Sequence, residues 1–189
     1  IRCSSIEVDT DNGKKVQFKG KIDRIDVYKD EKNNVYVRVV DYKTGTKKFS
    51  LDNVEKGLDL QMLIYLFSVC NTKEDKFKNE LGSYADNELI PAGILYMPAT
   101  VNNVSVDAHN SDKVERGVSG EFKRNGLILD DVDIIRAMEA DGNGKVVPAI
   151  VKEEEVNVID PATGKPKKDG RKNVKETKIS TKGSIATIE

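Results

Sequence analysis

In the stretch Val39-Val40-Asp41-Tyr42-Lys43 a run of apolar residues ends in an acid, an aromatic ring and a base, and the rest of the chain is organised around it. The apolar run predicts a buried strand. Because side chains alternate between the faces of a strand, Asp41 and Lys43 share one face and Tyr42 points to the other. A carboxylate and an ammonium group together at a strand end can hold a metal ion and polarise a phosphate or a water molecule beside it.

A second acid precedes this strand, in the segment Gly20-Lys21-Ile22-Asp23-Arg24-Ile25-Asp26, which we also predict to be a strand. The polar residues 29–34 between the two strands predict a hairpin turn. Antiparallel pairing about that turn brings Asp23 next to Asp41. Two carboxylates that close repel each other unless a cation lies between them, so the local geometry predicts a divalent metal ion.

A helix follows, which we predict to begin after Ser50 or Asp52 as its cap and to end near Val69. Gln61 and Tyr65 stand four positions apart and therefore on one face of that helix. A glutamine on an apolar face needs a hydrogen-bond partner. The apolar positions recur at helical spacing and predict burial against a sheet: Val54, Leu58, Met62, Tyr65 and Leu66.

The remaining pattern predicts one α/β (α+β) domain over residues 1–189, with a mixed central β-sheet flanked by helices, a motif core at 16–98 and a β-rich, irregular second half. In the first half the pattern further predicts a β-hairpin within 4–28, a helical turn within 72–88 and a strand from Ile90 to Pro98 that starts near a sheet edge because of Pro91. In the second half it predicts a short helix within 112–123, a turn at Asn125-Gly126 and a helix capped by Asp130 or Asp131 that ends at Met138. It also predicts a strand within 145–151, a mobile loop at about 160–173 and a new element from Ser184.

Composition excludes several classes of protein. Charged residues make up 33% and hydrophobic residues 38% of the chain, and no apolar run approaches the ~18 residues of a membrane helix. The 31 basic and 32 acidic residues exclude a strongly basic DNA-wrapping protein, so a nucleic-acid contact must come from a local patch. Cys3 and Cys70 are too few and too far apart for a metal motif, which predicts reduced thiols in a cytoplasmic protein. The chain starts at Ile1 without a signal peptide, so we expect a piece of a longer polypeptide, and we expect His109 to be exposed and inert.

Three motifs stand in a fixed order between Val16 and Phe67: G-x-x-D-R-I-D, D-Y-K and Q-x-x-x-Y. Together they resemble the RecB-like branch of the PD-(D/E)XK nuclease superfamily and, more narrowly, the C-terminal nuclease domain of AddB-type helicase–nuclease subunits. The resemblance implies a restriction-endonuclease-like core that hydrolyses DNA phosphodiester bonds. It also implies an AddA-type partner subunit, single-stranded DNA ends as substrate, and a role in double-strand-break processing and recombinational repair.

The same resemblance implies roles for the motif residues. Asp23 and Asp41 match the two acids that bind Mg²⁺ or Mn²⁺, with the backbone carbonyl of Tyr42 as a further ligand. Lys43 matches the lysine that orients or helps to deprotonate the attacking water and stabilises charge on the phosphate. Further along, the side chains that would line the DNA groove are Gln61 and Tyr65.

Several alternatives stay open. Arg24 either touches the DNA backbone or pairs with Asp26. The metal-binding histidine that RecB-like nucleases carry upstream of the first motif has no match here, and neither Cys3 nor Cys70 matches the iron–sulfur cysteines of AddB-type domains. A cluster is therefore possible in the full-length protein but is not ligated by this fragment.

Two other functions compete with the nuclease hypothesis. A non-catalytic DNA-binding or scaffolding module could keep the fold, but it would be expected to lose one of the three motif residues, and all are present: Asp23, Asp41 and Lys43. A standalone RecB-like exonuclease, such as a Cas4-like protein, would be expected to start with Met and to carry its own histidine and cysteines. The bland interpretation of the acids and the lysine, a surface ion pair at a strand end, does not explain why acids follow apolar runs on two neighbouring strands.

Overall fold

The two predicted motif strands lie side by side in a five-stranded mixed sheet of the computed structural model, which describes residues 1–2, 6–45, 47–84, 87–100, 123–157, 172–181 and 185–188. The described elements, in chain order, are β1 (Ile6–Asp9), β2 (Lys15–Phe18), β3 (Arg24–Lys29), β4 (Val35–Lys43), α1 (Leu51–Glu55), α2 (Gln61–Cys70), α3 (Asp75–Glu80), β5 (Leu89–Pro98), β6 (Asn125–Leu129), α4 (Val132–Met138), β7 (Ala149–Asn157), β8 (Lys172–Thr181) and β9 (Ile185–Ile188).

The central sheet has the strand order β3-β4-β5-β6-β9. Strand β4 runs antiparallel to β3 and parallel to β5, β5 runs antiparallel to β6, and β6 runs parallel to β9. Two further two-stranded sheets are formed by β1 with β2 and by β7 with β8. Helix α2 lies against β4 and β5, and α4 lies against β7 and β8. A mixed sheet flanked by helices confirms the predicted fold class.

Strand β4 is buried on both faces. On one face Val35, Val37 and Val39 pack with the buried residues of α2. On the other face Val40 packs with Ile135 of α4. A strand covered on both sides needs apolar residues at successive positions, which explains why the apolar run that precedes Asp41 does not alternate.

Residues 51–70 form two helices, so the prediction of one continuous helix is wrong. Gly57 and Asp59 adopt left-handed backbone conformations, with φ of +76° and +57°, and an α-helix cannot continue through them. Leu58, which was predicted to face the core, is instead 56% exposed in the turn between the helices. Ser50 occupies the N-cap position of α1, but its side chain makes no capping hydrogen bond.

Asn125 and Gly126 begin strand β6, so the predicted turn at this pair is also wrong. A Cβ atom on Gly126 would lie 2.0 Å from the carbonyl oxygen of Ile94, and glycine is therefore required for β5 and β6 to approach each other. The side chain of Asn125 accepts a hydrogen bond from the Phe49 N–H at 2.7 Å and donates one to the Lys47 carbonyl at 2.9 Å. The pair thus fixes the sheet and the segment that follows β4.

Most other predicted elements are confirmed. The first hairpin pairs β1 with β2, and α3 is the helical turn expected in the charged connector. Asp131 caps α4, because its side chain accepts hydrogen bonds from the N–H groups of Asp133 and Ile134. Strand β5 lies between β4 and β6, and Pro91 precedes the residues of β5 that pair with β6.

Some predictions fall where nothing is described. The short helix expected within 112–123 lies almost entirely in 101–122, which is outside the described residues. His109 lies in the same range, and Cys3 is likewise not described. The loop expected at about 160–173 lies mostly in 158–171, which is likewise not described, and β8 already begins at Lys172. The strand predicted within 145–151 begins only at Ala149. Of the helices that the structure describes, none has both the length and the apolar character to cross a membrane.

Candidate active site

The side chain of Asp23 and the strand that carries Asp41 meet at the open end of the β3–β4 pair. The sequence predicted Asp23 within a strand. Strand β3 begins only at Arg24, so Asp23 lies in the bend just before it. The register pairs Arg24 with Val40. Continued by one residue, it sets Asp23 opposite Asp41. The Oδ2 atom of Asp23 accepts a hydrogen bond from the backbone N–H of Tyr42 at 3.1 Å, which ties this carboxylate to the end of β4.

Asp41 and Lys43 form an ion pair on the face of β4 that α2 covers. The distance from Asp41 Oδ2 to Lys43 Nζ is 2.6 Å. Tyr42 lies between them in sequence but is exposed, as strand alternation predicts. The Oδ2 atom of Asp41 is buried and receives no directed hydrogen bond, so Lys43 balances it by charge alone. A buried carboxylate oxygen without a donor is costly, and a cation would relieve that cost.

These groups fit a hard divalent cation. Mg²⁺ in proteins is bound by one or two carboxylates and keeps several water molecules, so Asp23 and Asp41 provide enough protein ligands. Asp23 is exposed, which leaves one side of the site open to water and substrate. Within the described part of the chain, no three His, Cys, Asp or Glu side chains are grouped to hold a metal ion. This donor set suits Mg²⁺ or Mn²⁺ better than a structural zinc ion with its four protein ligands.

Tyr96 forms a wall of the site that the sequence did not predict. It is the partner of Asp41 across the parallel β4–β5 pair. The Lys43 Nζ atom lies 5.7 Å from the centroid of the Tyr96 ring, within the range of a cation–π contact. Burial, with the negative charges of Asp59 and Asp41, raises the pKa of Tyr96 to about 12, so its hydroxyl stays protonated at neutral pH. The pairing with Asp41 depends on the sheet topology, and no local signal marks it.

A second ion pair, between Lys47 and Asp59, lies near the first. The Lys47 ammonium contacts Oδ1 of Asp59, and the Asn53 side chain donates a hydrogen bond to Oδ2 at 2.9 Å. These two hydrogen bonds hold the pKa of Asp59 below its ordinary value, with further contributions from the positive charges of Lys47 and Lys43. Asp59 is therefore an anion close to Lys43. Gly57, two residues earlier, could have indicated a break in the helix, but no local signal indicates the pairing of Asp59 with Lys47.

The helix motif residues meet the first motif. The Gln61 side chain donates a hydrogen bond to the Tyr65 hydroxyl at 2.8 Å, which supplies the partner that the sequence required. The Tyr65 ring lies directly against Gly20, where a Cβ atom would be 2.2 Å from Cε1 of the ring. Gly20 therefore permits this close approach, three residues before Asp23. A cavity of about 280 Å³ opens here and is lined by Phe18, Lys19, Gly20, Gln61, Ile64, Tyr65 and Ser68.

Arg24 pairs with an acid on its own strand. Its Nε atom lies 2.5 Å from Oδ1 of Asp26, and its Nη1 atom donates a long hydrogen bond to the Tyr42 hydroxyl at 3.4 Å. The two contacts raise the pKa of Arg24, the Tyr42 hydrogen bond most, so it stays charged. Of the two alternatives for Arg24, the structure contains the ion pair with Asp26.

Cys70 does not have the character of a metal ligand. It ends α2 and is partly buried against the core. Burial raises the pKa of its thiol to about 12, so the thiolate that a metal or cluster needs is disfavoured. This agrees with the prediction of a reduced structural thiol.

Comparison with known proteins identifies relatives of this arrangement. A family model of the PD-(D/E)XK nuclease superfamily matches residues 1–145, which include all the motif residues. The chain is 33% identical over 155 residues to a protein of Alkaliphilus metalliredigens named as the B-type subunit of an ATP-dependent helicase/deoxyribonuclease, a match that covers 80% of this chain and 13% of that protein.

Proteins of the same name from other bacteria are also similar. The protein of Clostridium kluyveri is 36% identical over 138 residues, or 71% of this chain and 11% of the relative. The protein of Ruminiclostridium cellulolyticum is 34% identical over 152 residues, or 79% of this chain and 12% of the relative. The chain thus spans 11–13% of the length of these relatives.

Proposed function

The chain belongs to the PD-(D/E)XK nuclease superfamily, and on that premise we propose that it is the metal-dependent deoxyribonuclease domain of a helicase–nuclease subunit. In this role the domain hydrolyses phosphodiester bonds in single-stranded DNA ends. The observation that carries the proposal is the assembly of three motif residues at one end of the sheet: Asp23 bound to the Tyr42 peptide, and Asp41 paired with Lys43.

In this proposal the two carboxylates hold the metal ion. Asp41 contributes a buried oxygen that lacks a hydrogen-bond donor, and Asp23 contributes an exposed carboxylate on the solvent side. The backbone carbonyl of Tyr42 is the third protein ligand. Nucleases of this superfamily generally use divalent ions, which lower the pKa of a bound water and neutralise phosphate charge when present.

Lys43 acts on the substrate and the attacking water. Its ammonium group is tethered to Asp41 and lies over the Tyr96 ring, so its position is fixed before substrate arrives. From there it donates to the attacking water or to a non-bridging phosphate oxygen, which stabilises the negative charge that develops on the phosphate. The oxygen of water bonds to phosphorus as the bond to the leaving oxygen breaks; one water proton passes to solvent or to a neighbouring base, and the leaving oxygen takes up a proton from solvent.

The DNA strand approaches along the side where α2 begins. Gln61 is exposed and hydrogen-bonded to Tyr65, and together they border the cavity beside Gly20. An amide and an aromatic hydroxyl of this kind can contact the bases or sugars of a single strand.

The wider role follows from the relatives. Their name describes an ATP-dependent helicase combined with a deoxyribonuclease, and the chain covers only a small part of them. We therefore propose that this domain works in the cytoplasm beside an AddA-type helicase–nuclease subunit. Such a complex would process DNA ends at double-strand breaks for recombinational repair.

A cleavage assay tests the proposed activity. The 189-residue chain and a longer version, extended towards the length of the relatives, are incubated with end-labelled single-stranded DNA and Mg²⁺. Cleavage by the longer version should fall by about 10²-fold or more in Asp41→Asn, and chelation should abolish it. Glu31→Gln, in the exposed turn between β3 and β4, is the matched control and should cleave normally.

The same assay separates the nuclease from a scaffold that has kept the fold. A scaffold would bind DNA equally well with or without Asp41 and would cleave in neither case. Cleavage that survives Asp41→Asn or chelation would remove the metal site from the reaction.

A further inference from the structure

Two arginines, Arg24 and Arg38, pair with Asp26 on the face of the sheet opposite the candidate active site, and a third arginine lies near them. Arg24 and Asp26 on β3 and Arg38 on β4 all point to the face that α4 covers, because Arg24 pairs with Val40 and Asp26 pairs with Arg38 across the hairpin. Arg124, just before β6, lies close enough for the charges of Arg38, Arg24 and Asp26 to affect its pKa. We call Arg24, Arg38 and Arg124, with Asp26, the arginine cluster.

Asp26 balances only part of the positive charge in the arginine cluster. One carboxylate oxygen pairs with Arg24 at 2.5 Å, and the other accepts from the Nε atom of Arg38 at 3.1 Å and from its Nη2 atom. Both oxygens are therefore already paired. Among the described residues, three guanidinium groups against one carboxylate leave an excess of two positive charges.

Two nitrogen atoms of the arginine cluster have no acceptor. The Nη1 atom of Arg38 and the Nε atom of Arg124 are buried without a hydrogen-bond partner, and Arg38 as a whole is only 9% exposed. Burial, together with the charges of Arg38 and Arg24, lowers the pKa of Arg124. A buried N–H donor without an acceptor is unfavourable even when the rest of its guanidinium is paired. These two nitrogen atoms can donate hydrogen bonds to an anion.

We propose that the arginine cluster binds a backbone phosphate of the DNA strand that enters the candidate active site. The proposal rests on the proposed function and adds a second contact on the far side of the sheet. A phosphate fits because guanidinium N–H groups form charge-assisted hydrogen bonds with its oxygens, and Nη1 of Arg38 and Nε of Arg124 are not used by Asp26.

Tyr42 links the arginine cluster to the candidate active site. Its backbone N–H binds Asp23, while its hydroxyl accepts the long hydrogen bond from Arg24 on the other face. In the part of the chain that the structure describes, β3 is the edge strand of the central sheet, so a nucleic-acid strand can pass beside it from one face to the other. Arg24 has a 42% exposed side chain and can exchange its 3.4 Å contact with Tyr42 for a phosphate oxygen. A nucleic-acid strand bent around this edge reaches both places, which favours DNA over an acidic protein segment.

The first test measures the salt dependence of single-stranded DNA binding by the 189-residue chain in Ca²⁺, under conditions without cleavage. Loss of one phosphate contact should reduce the slope of log K against log salt by about 0.7. The gain in affinity on lowering the salt from 1 M to 0.1 M is then about fivefold smaller than for the unaltered chain. Arg124→Gln should show this change without a fall in melting temperature, since it removes a desolvated cation that its neighbours repel. Arg136→Gln, on an exposed position of α4, is the control and should keep the full slope.

Arg24→Gln provides a second variant if Arg124→Gln fails to fold, because it leaves the pair of Arg38 and Asp26 in place. It should reduce the slope by a similar amount. Slopes unchanged in both folded variants would overturn the proposal. If the slopes are unchanged but cleavage still depends on Asp41, this inference is overturned and the proposed function is not. If the slopes are reduced but no cleavage is observed, this inference is supported and the proposed nuclease activity is contradicted.

The second test identifies the anion directly. The arginine Nε–H signal that is lost from the NMR spectrum of Arg124→Gln is assigned to Arg124. Inorganic phosphate should shift such arginine signals in the unaltered chain, whereas acetate at equal ionic strength should not. A poly-glutamate peptide that shifts these signals at lower concentration than a single-stranded oligonucleotide would assign the arginine cluster to an acidic protein partner and refute the DNA contact.

Discussion

The carboxylate of Asp23 accepts a hydrogen bond from the backbone N–H of Tyr42, although 19 positions separate the two residues in the chain. This contact draws the bend before β3 onto the end of β4, one residue from Asp41. This main-chain donor therefore helps to hold the two acids at the same end of the β3–β4 pair.

The first prediction concerns metal binding. Calorimetry with Mn²⁺ should detect one site of about millimolar affinity or tighter, since two carboxylates and a carbonyl are a modest ligand set. Asp23→Asn should weaken this site, and Asp41→Asn should abolish it, because Asp41 contributes the buried oxygen without a donor. Glu31→Gln should bind as the unaltered chain does. Equal heats for Asp41→Asn and the unaltered chain would place the metal elsewhere.

The second prediction separates metal binding from chemistry. In Lys43→Ala, Mn²⁺ should bind as well as before or more tightly, because the positive charge 2.6 Å from Asp41 has gone. Cleavage by the extended domain should nevertheless fall by about 10²-fold or more, or about 2.7 kcal/mol of transition-state stabilisation. Lys43→Arg should not restore it, because a guanidinium has another shape and keeps its proton.

The assay for Lys43 is cleavage of a labelled single strand at saturating Mg²⁺, with calorimetry in parallel. Without metal, Lys43→Ala should also melt at a lower temperature than the unaltered chain, since it leaves the Asp41 carboxylate unpaired, and Mn²⁺ should narrow that gap. Near-normal cleavage by Lys43→Ala would limit Lys43 to a structural role as the partner of Asp41.

The third prediction concerns the contact between Gly20 and Tyr65. In Gly20→Ala the new methyl group would lie 2.2 Å from the Tyr65 ring, so the ring must move and lose its hydrogen bond with Gln61. We expect weaker binding of single-stranded DNA and a loss of about 1–3 kcal/mol in stability. Gly45→Ala, where a Cβ meets nothing within 4 Å, is the matched control.

A double-mutant cycle shows whether this contact is responsible. In a Tyr65→Ala background the methyl group meets no ring, so Gly20→Ala should cost little further stability or DNA affinity. If the cost of Gly20→Ala were the same in both backgrounds, the clash with Tyr65 would not be its cause.

The fourth prediction concerns the pH dependence of the pair between Asp26 and Arg38. Burial opposes ionisation of Asp26, but hydrogen bonds from Arg38 and Arg24 outweigh it and lower its pKa. A folded-state pKa below the unfolded value means that the pair stabilises the fold above about pH 4, and that this contribution disappears as pH falls through the folded pKa. Asp26→Asn should therefore cost about 1–3 kcal/mol at pH 7 and progressively less in acid.

Urea unfolding from pH 7 to pH 2, in buffers without phosphate, measures this difference. Phosphate is left out because it is the proposed ligand of the arginine cluster. A difference between Asp26→Asn and the unaltered chain that is constant with pH would mean that the carboxylate is not stabilised by its arginines.

The apolar run before Asp41 was enough to predict a buried strand with Asp41 and Lys43 on one face, and the turn at 29–34 was enough to pair that strand with the one beginning near Asp23. These features are local, because strand alternation and hairpin register depend on residues close in the chain. The motif order predicted the family for the same reason, since each motif is a short contiguous segment.

The tertiary structure alone decided which distant residues complete the site. Tyr96 joins Asp41 only because β5 pairs in parallel with β4, and helix propensity could not reveal that Asp59 leaves the helical path to bind Lys47. Asn125 and Gly126 carried the composition of a turn, but the close approach of β5 required glycine within β6. Side-chain contacts across 50 or more residues are set by packing of the whole sheet, and no local pattern in the sequence encodes them.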